Sequence, residues 1–173
     1  FSNLYVAYYY IVIDGDLNVR YNNLKAAYTY GAYYSIVNGD FSYICEESCD
    51  MISSNYVSYC SEITGDAEAT VVGSSSTGYN YIYGFYGVTD HMQYMVGGDV
   101  NFRYIGGTTN GIYAIDGYGN SNTNSYIGGN VEINVTGGSI SYVELVGDVT
   151  VRGDVDVVLT DVNSEDEVIS TSY

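Results

Sequence analysis

Apolar and polar residues alternate along much of this chain, and the alternation restarts at fixed places. Six segments open with a glycine followed by Asp or Asn: Gly15, Gly39, Gly65, Gly98, Gly129 and Gly147. Counted from each glycine, positions +2, +4 and +6 are apolar or aromatic. They are Leu17, Val19, Tyr21; Phe41, Tyr43, Cys45; Ala67, Ala69, Val71; Val100, Phe102, Tyr104; Val131, Ile133, Val135; and Val149, Val151. Gly153, at +6 of the last segment, is the one break. The odd positions are mostly polar, as in Asp16, Asn18, Arg20 and in Asn130, Glu132, Asn134. A period of two marks a strand with one buried face. Six such strands in one phase predict a sheet lining a single core.

Chance pairing of the glycines and aspartates predicts about 1.6 Gly-Asp dipeptides, whereas six occur, Gly153-Asp154 included. Intervals between the six starts are 24, 26, 33, 31 and 18 residues, a length suited to one coil of a solenoid. Each first strand is followed by small polar residues: Asn22-Asn23, GSSSTG over 73–78, GGTTNG over 106–111, Gly137-Gly138. Such residues turn corners cheaply. A tyrosine-rich run comes next, as in AAYTYGAYYS, NYVSYC, YNYIYGFYG and GIYAIDGYG. Strand, corner, strand and return predict an all-β chain, a parallel β-solenoid of about six irregular coils stacked about 4.8 Å apart. An antiparallel β-sandwich of hairpins is the alternative. It yields alternation but not a fixed phase from each Gly-Asp. Residues 1–14 are then expected as a capping or donated strand, 15–160 as the repeats and 161–173 as an acidic tail.

Composition agrees with the strands. Of 173 residues, 23 are Tyr and 21 Gly, and Pro is absent, so strand and turn formers dominate. Formal net charge is −17, which repels nucleic acid and anionic lipid alike. No apolar run of about 18 residues offers a membrane span. The chain starts at Phe1 without an initiator Met or a secretion signal, and is expected to be a processed form or a piece of a longer product.

Two stretches, GGDVNFRYIGGTTNGIYAIDG and GGNVEINVTGGSISYVELVGDVTV, resemble the Gly-rich repeats of large bacterial cell-surface and secreted adhesins. The likeness is clearest over 96–160 and fainter over 13–72. It implies a right-handed β-helical stalk, extracellular or on the cell surface, with display, adhesive or structural roles and no catalysis. Partners on this reading are a polysaccharide, a host or cell surface, or copies of the chain itself. The runner-up is a filament subunit joined by strand edges, and the third reading is a carbohydrate-active β-helix enzyme.

Candidate chemistry is sparse. Arg20, Arg103 and Arg152, three of four basic residues, each stand five positions after a Gly-Asp glycine. They are expected to form an outward ladder that relieves repulsion among acidic neighbours, with a ligand-binding arginine row as the sharper reading. Asp14, Asp16 and Asn18 open like an EF-hand loop, which then fails at Val19 and Lys25, so calcium is a weak candidate and no other cofactor is expected. Cys45, Cys49 and Cys60 suggest one disulfide and a spare thiol; a zinc site with His91 is the alternative. His91 is the one histidine, and its neighbour Asp90 would point to the opposite strand face, so no catalytic centre is expected there. Arg20 beside Asp16 and Asn18 is the best seed for carboxylate chemistry on a sugar. Tyr28, Tyr30, Tyr81, Tyr83, Tyr113 and Tyr142 are candidate aromatic rows for stacking on sugar rings or packing on another chain, against a plain role in the core.

Overall fold

The computed structural model describes residues 3–73, 81–89, 92–119, 125–164 and 169–171. The strands begin with β1 (Asn3–Tyr8), β2 (Val12–Ile13), β3 (Leu17–Tyr33), β4 (Ile36–Val37), β5 (Phe41–Tyr59) and β6 (Glu62–Ile63). Then come β7 (Ala67–Gly73), β8 (Tyr81–Val88), β9 (Val100–Ile105), β10 (Thr108–Gly119), β11 (Tyr126–Ile127) and β12 (Val131–Thr136). Last are β13 (Ser139–Gly147), β14 (Thr150–Val151), β15 (Val155–Thr160), β16 (Asn163–Ser164) and β17 (Ile169–Thr171). No helix occurs among the described residues, and so none is long and apolar enough to cross a membrane.

Every strand pair is parallel, which excludes the antiparallel sandwich for the described residues. Twelve strands form one parallel, strongly curled sheet, a half-barrel in outline. The long strands β3 and β5 each cross two parts of it. The first half of β5 pairs with β7 and its second half with β8. One column therefore runs β3, β5, β7, β9, β12, β15, and a second runs β1, β3, β5, β8, β10, β13, β17. A third, short column aligns Ile13, Val37, Ile63, Val96, Ile127 and Val151.

Five of the six expected Gly-Asp strands lie in the first column in the expected register. The sixth does not. Its strand is β15, opened by Gly153-Asp154 rather than Gly147-Asp148, and Gly147 instead ends β13. The reason is reach: the other passes need 24 residues or more, and the 18 from Gly129 to Gly147 are too few to visit all three columns. In the segment expected as a capping or donated strand β1 pairs with β3, and in the segment expected as the acidic tail β16 and β17 pair with β13.

The core lies on the concave side. Phe41, Tyr43, Cys45, Ala67, Ala69, Val71, Val100, Phe102, Tyr104, Val131, Ile133 and Val135 are buried, as the even positions predict. Ile82, Phe85, Ile112, Ile115, Val143 and Leu145 close it from the second column. At the last pass the same positions emerge: Val155 and Val157 are exposed, because β15 pairs only with β12. Two corners use left-handed backbone. One carries Asn23 (φ 51°), Glu47 (φ 63°), Gly106 (φ 63°) and Gly137 (φ 67°), the other Tyr34 (φ 47°), Cys60 (φ 48°) and Gly87 (φ 79°). Non-glycine residues tolerate this region only at a cost, so repeated use of one corner shows that cross-pass pairing outweighs it.

Candidate functional site

The Gly-Asp dipeptide builds a ladder. Oδ1 of Asp16 accepts the backbone N–H of Asp40 (2.9 Å), and Asp40 accepts that of Asp66 (2.9 Å). Asp66 then accepts from Asp99 (2.8 Å), Asp99 from Asn130 (2.6 Å) and Asn130 from Asp154 (2.9 Å). The glycine before each Asp lets this approach happen. A Cβ on Gly98 would meet the Asp66 carboxylate and the Gly65 carbonyl, and one on Gly129 or Gly153 would meet the corresponding groups below it. Glycine gives room, and Asp or Asn supplies an acceptor at the height of the next pass.

The ladder borders an open groove of about 670 Å³, whose lining among the described residues includes eight acidic side chains and no basic one. Glu68, Glu132 and Asp156 lie in it beside the ladder aspartates. Asp14 and Asp16, the calcium candidates, sit in different columns: Asp14 accepts from Asn38 Nδ2 (2.8 Å), and Asp16 serves the ladder. Asn18 pairs with Ser42 along the strand. Among the described residues no three His, Cys, Asp or Glu side chains converge on a metal position.

The arginines do not form one row. Arg20 and Arg103 share a column through Ile44 and Thr70, whereas Arg152 pairs into the third column beside β11. Arg20 makes a forked contact with Glu46 (2.7, 2.8 and 3.2 Å), so it serves the neighbouring pass rather than Asp16. Arg152 lies over the Tyr126 ring at 3.9 Å, a cation–π contact. The slip has the same origin as the misplaced sixth strand.

Cys45 is buried and disulfide-bonded, which removes it from any zinc site. Cys60 is free and buried. Burial pushes its thiol up to about 11, against hydrogen bonds from Tyr34 and Tyr59, so it is a poor nucleophile. His91 and Asp90 lie outside the described residues.

The tyrosines make the second ladder, and it is larger than the sequence shows. Tyr5, Tyr30, Tyr56, Tyr83 and Tyr113 occupy one column on the convex face. Successive ring centroids are 4.7, 4.8, 4.4 and 4.9 Å apart, with planes within 11° of parallel. Tyr8, Tyr33, Tyr59 and Tyr86 form a neighbouring stack at 5.4, 5.3 and 5.8 Å. The two meet edge to face, as Tyr30 with Tyr33 and Tyr83 with Tyr86, both at 4.8 Å. Tyr28, Tyr81 and Tyr142 fall in a separate column, interrupted by Ser54 and Gly111.

Three of the six tyrosines expected in aromatic rows, Tyr30, Tyr83 and Tyr113, lie in the first of these columns. Along the columns each ring face is covered by the next ring, so the face presents hydroxyls and ring edges to its surroundings. Burial, reinforced by neighbouring phenols, pushes Tyr30 and Tyr113 up to about 12 and raises Tyr33, Tyr56 and Tyr86 as well. These five phenols are therefore neutral through the physiological range and well beyond it. Tyr5, Tyr56 and the whole second stack escaped the sequence reading. The i, i+3 spacing of Tyr5 and Tyr8, Tyr30 and Tyr33, Tyr56 and Tyr59, and Tyr83 and Tyr86 was the signal available.

Asp116 is the strand partner of Tyr86, and the ring of Tyr118 continues the second stack at 6.0 Å. Asp116 is buried, accepts the Tyr118 N–H (2.8 Å), and desolvation raises its carboxyl to about 6, with Glu144 and Asp148 adding to the rise. Comparison of the chain with protein-family models, with curated proteins and with solved structures returns no match.

Proposed function

We propose that the chain is a non-enzymatic β-solenoid of the extracellular or cell-surface kind, a stalk or display segment whose tyrosine face meets a polysaccharide or cell surface. The supporting observation is how the polar and aromatic groups are used. Carboxylates of the Gly-Asp ladder cap the next pass, and phenol rings stack on the next ring. Such repetition stiffens a rod and converges on no reacting atom. Three columns visited in turn on each pass, with a shared core, support the solenoid form of the curled sheet.

The face offers a row of phenol hydroxyls at the spacing of the passes, which suits hydrogen bonding to a polymer rich in hydroxyls. Retention on a panel of insoluble polysaccharides and fixed bacterial or animal cells tests this. Binding to at least one surface is expected, with loss when Tyr83→Phe and Tyr113→Phe are combined, because the rings remain and the hydroxyls go. Retention nowhere, or release of soluble sugar from any polysaccharide, overturns the reading.

One observation favours a second reading, a filament of copies. Val155, Val157 and Val158 are exposed along β15, which pairs on one side only. An exposed apolar strand edge invites another strand. Sedimentation that stays monomeric at every concentration rejects it.

A further inference from the structure

The two tyrosine stacks are one connected path across the molecule. From Tyr118 ring contacts run to Tyr86 (6.0 Å), Tyr59 (5.8 Å), Tyr33 (5.3 Å), Tyr8 (5.4 Å), Tyr9 (4.8 Å) and Tyr10 (5.6 Å). The parallel column from Tyr113 to Tyr5 joins it at each pass. The ends differ from the middle. Tyr10 is 76% and Tyr118 65% exposed, Tyr8 and Tyr9 are less so at 45%, and Tyr33, Tyr59 and Tyr86 are half-buried.

Among the residues whose side chains the structure describes, other easily oxidised groups are few or shielded. The chain has no Trp, Met92 and Met95 are buried, and the free thiol of Cys60 is buried against the stack. A one-electron oxidant therefore meets phenols first. A phenol surrenders its electron easily only if its proton also leaves. Hydrogen bonds between phenols, Tyr33 with Tyr9, Tyr34 with Tyr59 and Tyr83 with Tyr56, let the oxygen of an already oxidised ring take its neighbour's proton together with the electron, and elsewhere the proton leaves to water. Stacked rings in contact pass the electron vacancy from neighbour to neighbour. Inside the stack the rings are half-buried and packed on one another; Tyr10 and Tyr118 are the most open to solvent and other molecules.

We propose that the tyrosine face relays one-electron oxidation to Tyr10 and Tyr118, where two copies of the protein join covalently through dityrosine. The oxidant is a peroxide working through a one-electron peroxidase. Two phenols each give one electron and one proton. One hydrogen peroxide takes both electrons and both protons and leaves as two waters. The two phenoxyl radicals form a carbon–carbon bond ortho to each oxygen, and the two ring hydrogens shift to the oxygens, restoring both phenols. The inference holds whatever the face binds.

Two measurements test it on the full chain. With hydrogen peroxide and a haem peroxidase, covalent dimers with dityrosine fluorescence are expected, with peptide mapping placing the bonds at Tyr10 and Tyr118. Tyr10→Phe with Tyr118→Phe loses these dimers. Bonds mapping equally to Tyr94 or Tyr126, outside the stack, overturn the proposal, as does the absence of dimers. The relay is read separately, at dilution, with a photo-oxidant tethered to Asn3→Cys and a phenol tag that couples to tyrosyl radicals. Tagging of Tyr118 is expected in the parent. It is lost in Tyr56→Phe with Tyr59→Phe, which cuts both columns at one pass but keeps the rings, while Tyr10 is still tagged. Untagged Tyr118 in the parent, or equal tagging in the double variant, refutes the relay.

Discussion

Asp66 stands in the middle of the Gly-Asp ladder, and replacing it separates two forces that oppose each other there. Its Oδ1 caps the Asp99 N–H at 2.8 Å, while its charge faces Asp40 below and Asp99 above. A net hydrogen bond at an exposed site contributes about 1 kcal/mol. Charges one pass apart, about 4.8 Å, repel by about 0.9 kcal/mol per pair in water. Two neighbours make this about 1.7 kcal/mol at low salt, falling to about 0.3 kcal/mol at 1 M salt, where the screening length is about 3 Å. Asp66→Asn keeps the acceptor and removes the charge, as Asn130 already does in the same ladder. It is expected to stabilise the fold by up to about 1.7 kcal/mol at low salt and by little at high salt. Asp66→Ala loses both. It is expected to gain about 0.7 kcal/mol at low salt and to lose about 0.7 kcal/mol at 1 M salt. Urea unfolding of parent and both variants at the two salt concentrations measures this. The variants should differ by about 1 kcal/mol at both concentrations. Identical Asn and Ala variants, or an Asn variant destabilised at low salt, refute the ladder argument.

Gly98→Ala places a methyl against the Gly65 carbonyl and Asp66, so a loss of roughly 1–3 kcal/mol is expected in the same assay, with little change from Ala at an exposed strand position such as Asn101. Inside the core Tyr43 donates to Asn55 Oδ1 at 2.9 Å, and Asn55 is fully buried. Tyr43→Phe is expected to cost about 1–3 kcal/mol, and pairing it with Asn55→Val should recover part of that in a double-mutant cycle. Asp116 binds its proton more tightly folded than unfolded, so it favours the fold fully below the unfolded carboxylate pKa. That contribution is lost as pH rises to about 6. Thermal melts should show stability falling over that window, and Asp116→Asn should remove the fall.

The parallel sheet, the phase of its inward residues and the place of five of its repeats were legible because each is written within a single pass. Alternation at Val100, Phe102 and Tyr104 places three side chains in the core whatever surrounds them. A Gly-Asp pair likewise announces a tight step with an acceptor. What depends on the relation between passes was not legible. Which of Gly147 and Gly153 opens the last strand is settled by how far the chain must travel to regain the first column. The partner of Arg20 is Glu46, 26 residues on, and a neighbour across a sheet has no fixed offset in sequence. The tyrosines show the division most plainly. Their number and their i, i+3 spacing are in the sequence. That their rings cover one another, leaving hydroxyls outward, comes only from parallel strands in register, which set like residues at the spacing of a stacked pair of rings.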